Sequence, residues 1–275
     1  MEIDLHIHSD KSDGIYSANQ IFELARNNRL KYLAITDHDT LNPASLKSEA
    51  LKYGLTLIDG IELSSFIPAN EVHILGYSMK RTPALINKLE ELKQLRLKRF
   101  EAIVQKLNAL GIDIDAAKTL SSLKGTAGRS MAARALVSEG YCRNVSEAFE
   151  KYLSRGRPAY VENQALTSAE AISLIKQNGG IAALAHPYRI GISEMELSAL
   201  IKRFKDYGLD ALETIYPTHS PQETAFLRRQ CDKNKLIPSI GSDFHGGIYR
   251  GAALSCSGNR LTKKEMEKLL KLILI

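Results

Sequence analysis

Cysteine is scarce in this 275-residue chain, and the three present, Cys142, Cys231 and Cys256, are scattered and odd in number. None has metal-ligand spacing, which argues against a thiolate metal site and against a disulfide framework; reduced thiols are expected. No apolar run approaches the roughly 20 residues needed to span a bilayer. The terminal Leu269-Leu270-Lys271-Leu272-Ile273-Leu274-Ile275 is too short for that and is expected to close the core. The first strand pattern begins at once, leaving no room for a signal peptide, so a cytoplasmic setting is expected. Repeats, low-complexity tracts and coiled-coil heptads are also lacking, and no feature calls for an obligate protein partner. What is present is an ordinary globular balance, 44% hydrophobic and 25% charged, with length for one large α/β domain plus an insertion or for two smaller domains. A net charge of +6 is mildly basic and suits an anionic substrate without requiring one.

Ile3, Leu5 and Ile7 alternate with Asp4, His6 and His8, the pattern of a strand with its imidazoles on one face. Two surface histidines would give the same pattern, and a metal ion shared between two neutral imidazoles is the alternative that carries chemistry. Ser17 with Gln20 reads as a capping box opening a helix through Ala25. Short apolar runs follow at Tyr32 to Ile35, Leu55 to Ile61 and Val72 to Tyr77, with a helix around Ser45 to Tyr53 ending at Gly54. Alternation of strand and helix indicates an α/β fold with largely parallel strands. Thr82-Pro83 then opens a long helix to about Leu110. Its stripe is Leu85, Leu89, Leu92, Leu95 or Arg96, and Ile103, with Lys88, Lys93, Lys98, Arg99 and Lys106 read as a mostly solvated face. No convincing strand follows until about residue 160. Residues 80–159 are therefore read as a helical insertion, with 1–79 and 160–275 forming the main domain. The later strands are expected at Ile181 to Ala185, Leu209 to Ile215 and Ile237 to Ile240, and a helix from Lys263 ends the chain. The count is about seven strands, one short of the common (β/α) barrel.

Six of the seven histidines fall at these strands: His6, His8, His38, His186 and His245 at strand ends and His73 within the fourth, with His219 the exception in a loop. Glu62 ends the third strand, Asp13 follows the first, and Asp243 precedes His245. In a parallel barrel such ends gather on one rim, where active sites are built. Imidazole and carboxylate donors without thiolate favour Mn, Fe, Zn, Co or Mg. The set is too large for one ion; two or three need a bridge, and a strand-end Glu is a suitable one. Such clusters hold a hydroxide at neutral pH and stabilise a displaced oxyanion, which is hydrolytic chemistry on phosphate esters or amides.

His6-x-His8-Ser9-x-x-Ser12-Asp13-Gly14, Ile35-Thr36-Asp37-His38-Asp39 and Gly60-Ile61-Glu62-Leu63-Ser64 together resemble the polymerase and histidinol phosphatase (PHP) family of metal phosphoesterases. His73-Ile74-Leu75-Gly76-Tyr77, Ala185-His186-Pro187 and Gly241-Ser242-Asp243-Phe244-His245 fit its later motifs. The resemblance implies a distorted seven-stranded (β/α) barrel and a trinuclear metal site, with manganese the leading metal and Fe, Zn or Mg the alternatives. It also implies the partition. His6, His8, Asp243 and a bridging Glu62 would hold one ion, Glu62, His73 and His186 a second, and Asp13, His38 and His245 a third.

The insertion segment from Gly128-Arg129-Ser130-Met131 through Gly156-Arg157-Pro158 is similar to the small stand-alone branch of that family. That branch includes nucleoside 3′,5′-bisphosphate phosphatases and an exonuclease acting on short RNA ends. Arg129 is the first candidate for a phosphate contact, an ordinary surface arginine being the alternative; Arg134 and Arg157 are weaker candidates. A histidine common in this motif is missing at Ser130-Met131. The expectation is hydrolysis of a phosphomonoester on a small nucleotide by a metal-bound hydroxide, with Glu62, Asp13 and His38 at the reacting centre and Asp13 and His38 also near the substrate. His219 could supply a proton to the leaving group or be a plain loop histidine. The rivals are a 5′–3′ exonuclease on short oligonucleotides, a histidinol-phosphate phosphatase and a non-catalytic, metal-stabilised binding module.

Overall fold

The structure is a computed structural model that describes residues 2–122, 124–163, 165–247, 253–254 and 260–274. Cys256 and Ile275 lie outside the described residues. Seven strands follow one another in chain order around a nearly closed barrel: β1 (Ile3–Ile7), β2 (Tyr32–Ile35), β3 (Thr56–Ile67), β4 (Asn70–Tyr77), β5 (Ile181–Leu184), β6 (Ala211–Ile215) and β7 (Ile237–Ile240). The segment after β7 meets β1: Asp243 N donates to the His6 carbonyl at 2.8 Å and His8 N to the Phe244 carbonyl at 2.9 Å.

Most pairings are parallel, with β4 the exception, antiparallel to both β3 and β5. The expected third strand therefore does not stop at Glu62. It runs on to Ile67 and turns back through Pro68 and Ala69, a link too short for a parallel crossover. The early half of β4 consequently reaches the rim that the late halves of the other strands reach. His73 comes to the cluster for that reason, although it lies near the middle of its strand.

The barrel helices are α1 (Ala18–Asn27), α2 (Leu46–Lys52), α7 (Ser168–Gln177), α8 (Glu194–Asp206), α9 (Pro221–Asn234) and α10 (Lys263–Ile273). Side-chain caps place several starts: the Ser17/Gln20 box opens α1, and Thr167/Glu170, Ser193/Glu196, Ser220/Glu223 and Thr262/Glu265 do the same for α7, α8, α9 and α10. Leu269 and Ile273 of α10 are buried with Ile3, Leu5 and Tyr77 at one end of the barrel. The Tyr77 hydroxyl reaches across to donate to the Leu5 carbonyl at 3.0 Å.

Between β4 and α7 the chain forms α3 (Pro83–Ala109), α4 (Ala116–Ser122), α5 (Arg129–Ser138), α6 (Val145–Ala148) and a π-helical turn over Phe149–Leu153. Thr82 caps α3, and at 27 residues this helix is roughly 40 Å long. Its two halves serve different cores. Leu85, Leu89 and Leu92 pack with the barrel helices, whereas Phe100, Ile103, Val104 and Leu107 pack with Met131, Leu136 and Leu153. The charged face of α3 is not uniformly solvated. Arg96 and Arg99 turn towards the barrel and are largely buried, while Leu95 is 41% exposed.

Phe100 is fully buried in that second core. Phe100→Ala should remove about 3–5 kcal/mol of unfolding free energy, measured by urea denaturation. A loss below about 1 kcal/mol would contradict tight packing of this second core.

Candidate metal centre

The turn conformations after the strands place the ligand-type side chains. Asp243 and His186 take positive φ values of 54° and 27°, which aim them back over the barrel mouth. Glu62 is the hub. Its two oxygens lie 3.3 Å from His6 Nε2, 3.1 Å from His8 Nε2 and 3.0 Å from His38 Nδ1. His73 Nδ1 and His186 Nε2 approach the same carboxylate at 2.8 and 3.1 Å. Asp243 Oδ1 is 3.4 Å from His6 Nε2 and 3.3 Å from His8 Nε2. Asp13 lies 3.1 Å from His245 Nε2 and 3.8 Å from His38 Nε2. All nine ligand candidates read from the sequence thus meet in one place.

Their donor atoms fall into four overlapping groups: His8, Asp13, His38 and His245; His6, Glu62 and His186; His6, His8 and Asp243; and His38, Glu62 and His73. Within each group the donors lie within 4.8 Å of one another. Several of these atoms are buried with no hydrogen bond: His6 Nε2, His8 Nε2, Asp13 Oδ1, His38 Nδ1 and Glu62 Oε2. Buried polar atoms are rarely left so. Nitrogen and carboxylate donors converging without hydrogen-bond geometry fit divalent cations.

Charge interactions among these groups are strong. Burial opposes the charged form of Glu62, but His73, His38 and His6 outweigh it and hold the carboxyl well below its usual range. For His8, burial is outweighed by Asp243 and Glu62, and its imidazole is raised to about 10. Burial prevails at His186, which falls to about 4.

A supporting ring of residues went unread in the sequence. Asp37 accepts from Ser9 N and Oγ, Ser12 Oγ and Asn42 Nδ2 at 2.6–2.8 Å, fixing the loop that carries His8 and Asp13. Glu213 lies 3.1 Å from His6 Nδ1 and accepts from His186 N at 2.6 Å, so it orients two ligand candidates at once. Asp39 accepts from Ser64 N at 2.9 Å and from Arg96 Nη1 at 2.7 Å, joining α3 to the site. Tyr216 hydroxyl and Arg189 Nη1 donate to Asp243 Oδ2 at 2.8 and 2.9 Å. Asp37 and Asp39 flank His38 in an acidic triplet, a signal the sequence did carry. Glu213, inside an apolar strand, offered a weaker one.

A cavity of about 1000 Å3 opens over the cluster, lined in part by residues of α3 and of the segment from Gly128 to Glu150. Arg129 lines it, with Glu71, Arg96, Arg99 and Arg189. Two expectations need correction. Arg134 does not line the cavity; its guanidinium donates to the Lys124 carbonyl at 2.5 Å. Arg157 is exposed and is also absent from the lining. His219 is buried behind Tyr216, its ring 5.2 Å from that tyrosine and its Nδ1 3.2 Å from the Thr214 carbonyl. Burial lowers its pKa, and it does not line the cavity, which speaks against a proton donor to the leaving group.

Comparisons with known proteins agree with this geometry. Residues 4–113 match the PHP domain. The chain is 34% identical over 248 residues to the 5′–3′ exoribonuclease Rnm of Escherichia coli, covering 88% of this chain and 84% of that protein. It is 32% identical over 247 residues to a 3′,5′-nucleoside bisphosphate phosphatase of Chromobacterium violaceum, covering 88% and 87%. Among solved structures, one from C. violaceum described as an amidohydrolase with bound sulfate superimposes with a TM-score of 0.87 at 28% identity, over 98% of this chain and 96% of that one. Another from Bifidobacterium adolescentis, described as a metal-dependent phosphoesterase, gives 0.85 at 26% identity over the same shares.

Gly241 packs where any side chain would overlap His6 Cβ and Glu213 Oε1. Gly241→Ala should cost about 1–3 kcal/mol of stability and lower the bound divalent metal measured by elemental analysis. Unchanged metal content and melting temperature would refute the tight support of His6.

Proposed function

The chain belongs to the PHP family and is a metal-dependent phosphoester hydrolase, and we propose that it removes phosphate from a small nucleotide bearing a second phosphate, of the nucleoside 3′,5′-bisphosphate type. The observation that carries the reading is one cavity lined both by seven members of the nine-group cluster, with His6 and His8 buried beneath, and by Arg129. We assign two or three divalent ions to the cluster, manganese first, and take residues 80–159 as a cap over the mouth in a cytoplasmic enzyme. No helix among the described residues is long and apolar enough to cross a membrane.

His6, His8 and Asp243, with Glu62 as bridge, would hold one ion; Glu62, His73 and His186 a second; Asp13, His38 and His245 a third. Bound ions supply Lewis acidity and an activated nucleophile at neutral pH. The protein's own groups position the substrate. Arg129 offers a planar fork to the second phosphate, held between the rings of Phe149 and Tyr160 at 5.6 and 5.9 Å. Arg189, bonded to Asp243 and Tyr216 yet 56% exposed along its side chain, can meet a phosphoryl oxygen at the cluster.

A second reading is 5′–3′ trimming of short RNA, favoured by the relatedness to the E. coli exoribonuclease. Both reactions would use the same cluster and differ in what lies beyond the second phosphate.

Purified protein with manganese should contain two or more ions per chain and release phosphate from adenosine 3′,5′-bisphosphate. Glu62→Ala or chelation should abolish release. Bound metal with mononucleotide release from short RNA, and none from the bisphosphate, would replace this reading by the second. Release from histidinol phosphate alone would overturn both. Arg129→Ala should raise KM for the bisphosphate roughly tenfold to a hundredfold, the worth of a charge-assisted contact, with a smaller change for 4-nitrophenyl phosphate. Equal losses on both substrates would remove Arg129 from second-phosphate binding.

A further inference from the structure

The wall facing the cluster contains an acidic side chain for which hydrolysis has no use. Glu71 lies near the start of β4, two residues before His73, so both side chains leave one face of the strand roughly 7 Å apart along it. One of its carboxylate oxygens accepts from Arg99 Nη2 and the other from Arg129 Nη2. The two arginines are not equivalent. Arg99 is further committed, donating from Nε and Nη2 to the Val161 carbonyl at 2.9 and 2.7 Å. The Arg129 guanidinium makes no other side-chain hydrogen bond among the described residues, and it lies over the rings of Phe149 and Tyr160. The triad carries two positive charges and one negative, and all three groups line the cavity.

We propose that Glu71 is a specificity-determining residue that competes with the substrate's second phosphate for Arg129. The identity of that anion rests on the nucleotide reading above. An internal carboxylate already on the fork is a barrier to anions of single charge, such as a phosphodiester or a carboxylate. A terminal phosphate, with a charge of about −1.5 to −2 and three acceptor oxygens, displaces it more readily. The cavity therefore selects a terminal phosphomonoester at this point rather than an internal linkage. Separation along β4 sets that selection about one sugar away from the cluster.

The test is equilibrium binding to the manganese-loaded protein by calorimetry. The probes are a non-hydrolysable bisphosphonate analogue of adenosine 3′,5′-bisphosphate and the same analogue carrying a singly charged methyl ester on the phosphonate that lies away from the cluster. Glu71→Gln keeps the side-chain shape and one acceptor oxygen while removing the competing charge. It should tighten the bisphosphonate roughly tenfold and the methyl ester by more, narrowing the discrimination between them. Adding Arg129→Ala to Glu71→Gln should erase the gain. Weaker or unchanged binding in Glu71→Gln would show that Glu71 merely holds the arginines and would overturn the proposal. A gain that survives loss of Arg129 would overturn it as well. The reaction assignment fails separately: absence of phosphate release from the bisphosphate in the wild type, with the Glu71→Gln gain intact, would remove the assignment and leave the competition standing.

Discussion

A carboxylate buried among five imidazoles is the constraint on which this barrel depends. Glu62 is 1% exposed, and His6, His8, His38, His73 and His186 all approach it within 3.3 Å. Imidazoles that crowded oppose one another's protonation, and the rings of His8 and His245 stand 4.1 Å apart. Protons shared with Glu62, Asp13 and Asp243 relieve part of the problem, and divalent cations relieve it more completely, because neutral imidazoles can then all turn a lone pair inward. The strands are ordered so that this one carboxylate is central: β3 carries it beyond the barrel's edge, and β1, β2, β4 and the turns after β5 and β7 bring the rings.

Holding such a cluster takes more than its own members. Asp37 ties down the loop of Asp13, Glu213 fixes His6 and the backbone at His186, and Asp39 accepts from Arg96 of α3. Each of these buried acids is paired with donors on a different segment, so it aligns two segments at once. Gly241 belongs to the same arrangement, since only hydrogen at its α-carbon leaves room for His6 and Glu213 together.

The sequence was informative where chemistry is written locally. The His6-x-His8 alternation, the Asp37–Asp39 triplet and the Gly241–His245 turn each place ligand-type residues next to an apolar strand, and caps such as Ser17/Gln20 mark helix starts directly. It was least informative where a side chain's fate depends on a partner far along the chain. Arg96 and Arg99 share the spacing of solvated lysines on α3, and only the approach of Asp39 and Glu71 turns them inward. Glu213 reads as an odd polar residue in a strand until His6, 207 residues away, gives it a role. His219 went the other way. Its position past a strand end resembled that of the ligands, yet burial and the Thr214 carbonyl make it structural.

The reversal of β4 connects the cluster to the cavity wall. Had β4 been parallel to β3, its early residues would lie at the far end of the barrel and neither His73 nor Glu71 would reach the mouth. The short turn at Pro68-Ala69 places both on one rim, one side chain turned to the bridging carboxylate and the next on that face turned to Arg99 and Arg129. A single strand thus carries a group that faces the ligand cluster and a group that faces the arginines of the cavity wall. Distance between the two is fixed by the strand's own rise rather than by any loop. Under the proposed competition at Arg129, the spacing of the two substrate phosphates would follow from backbone geometry and the selection by charge from the side chain at position 71.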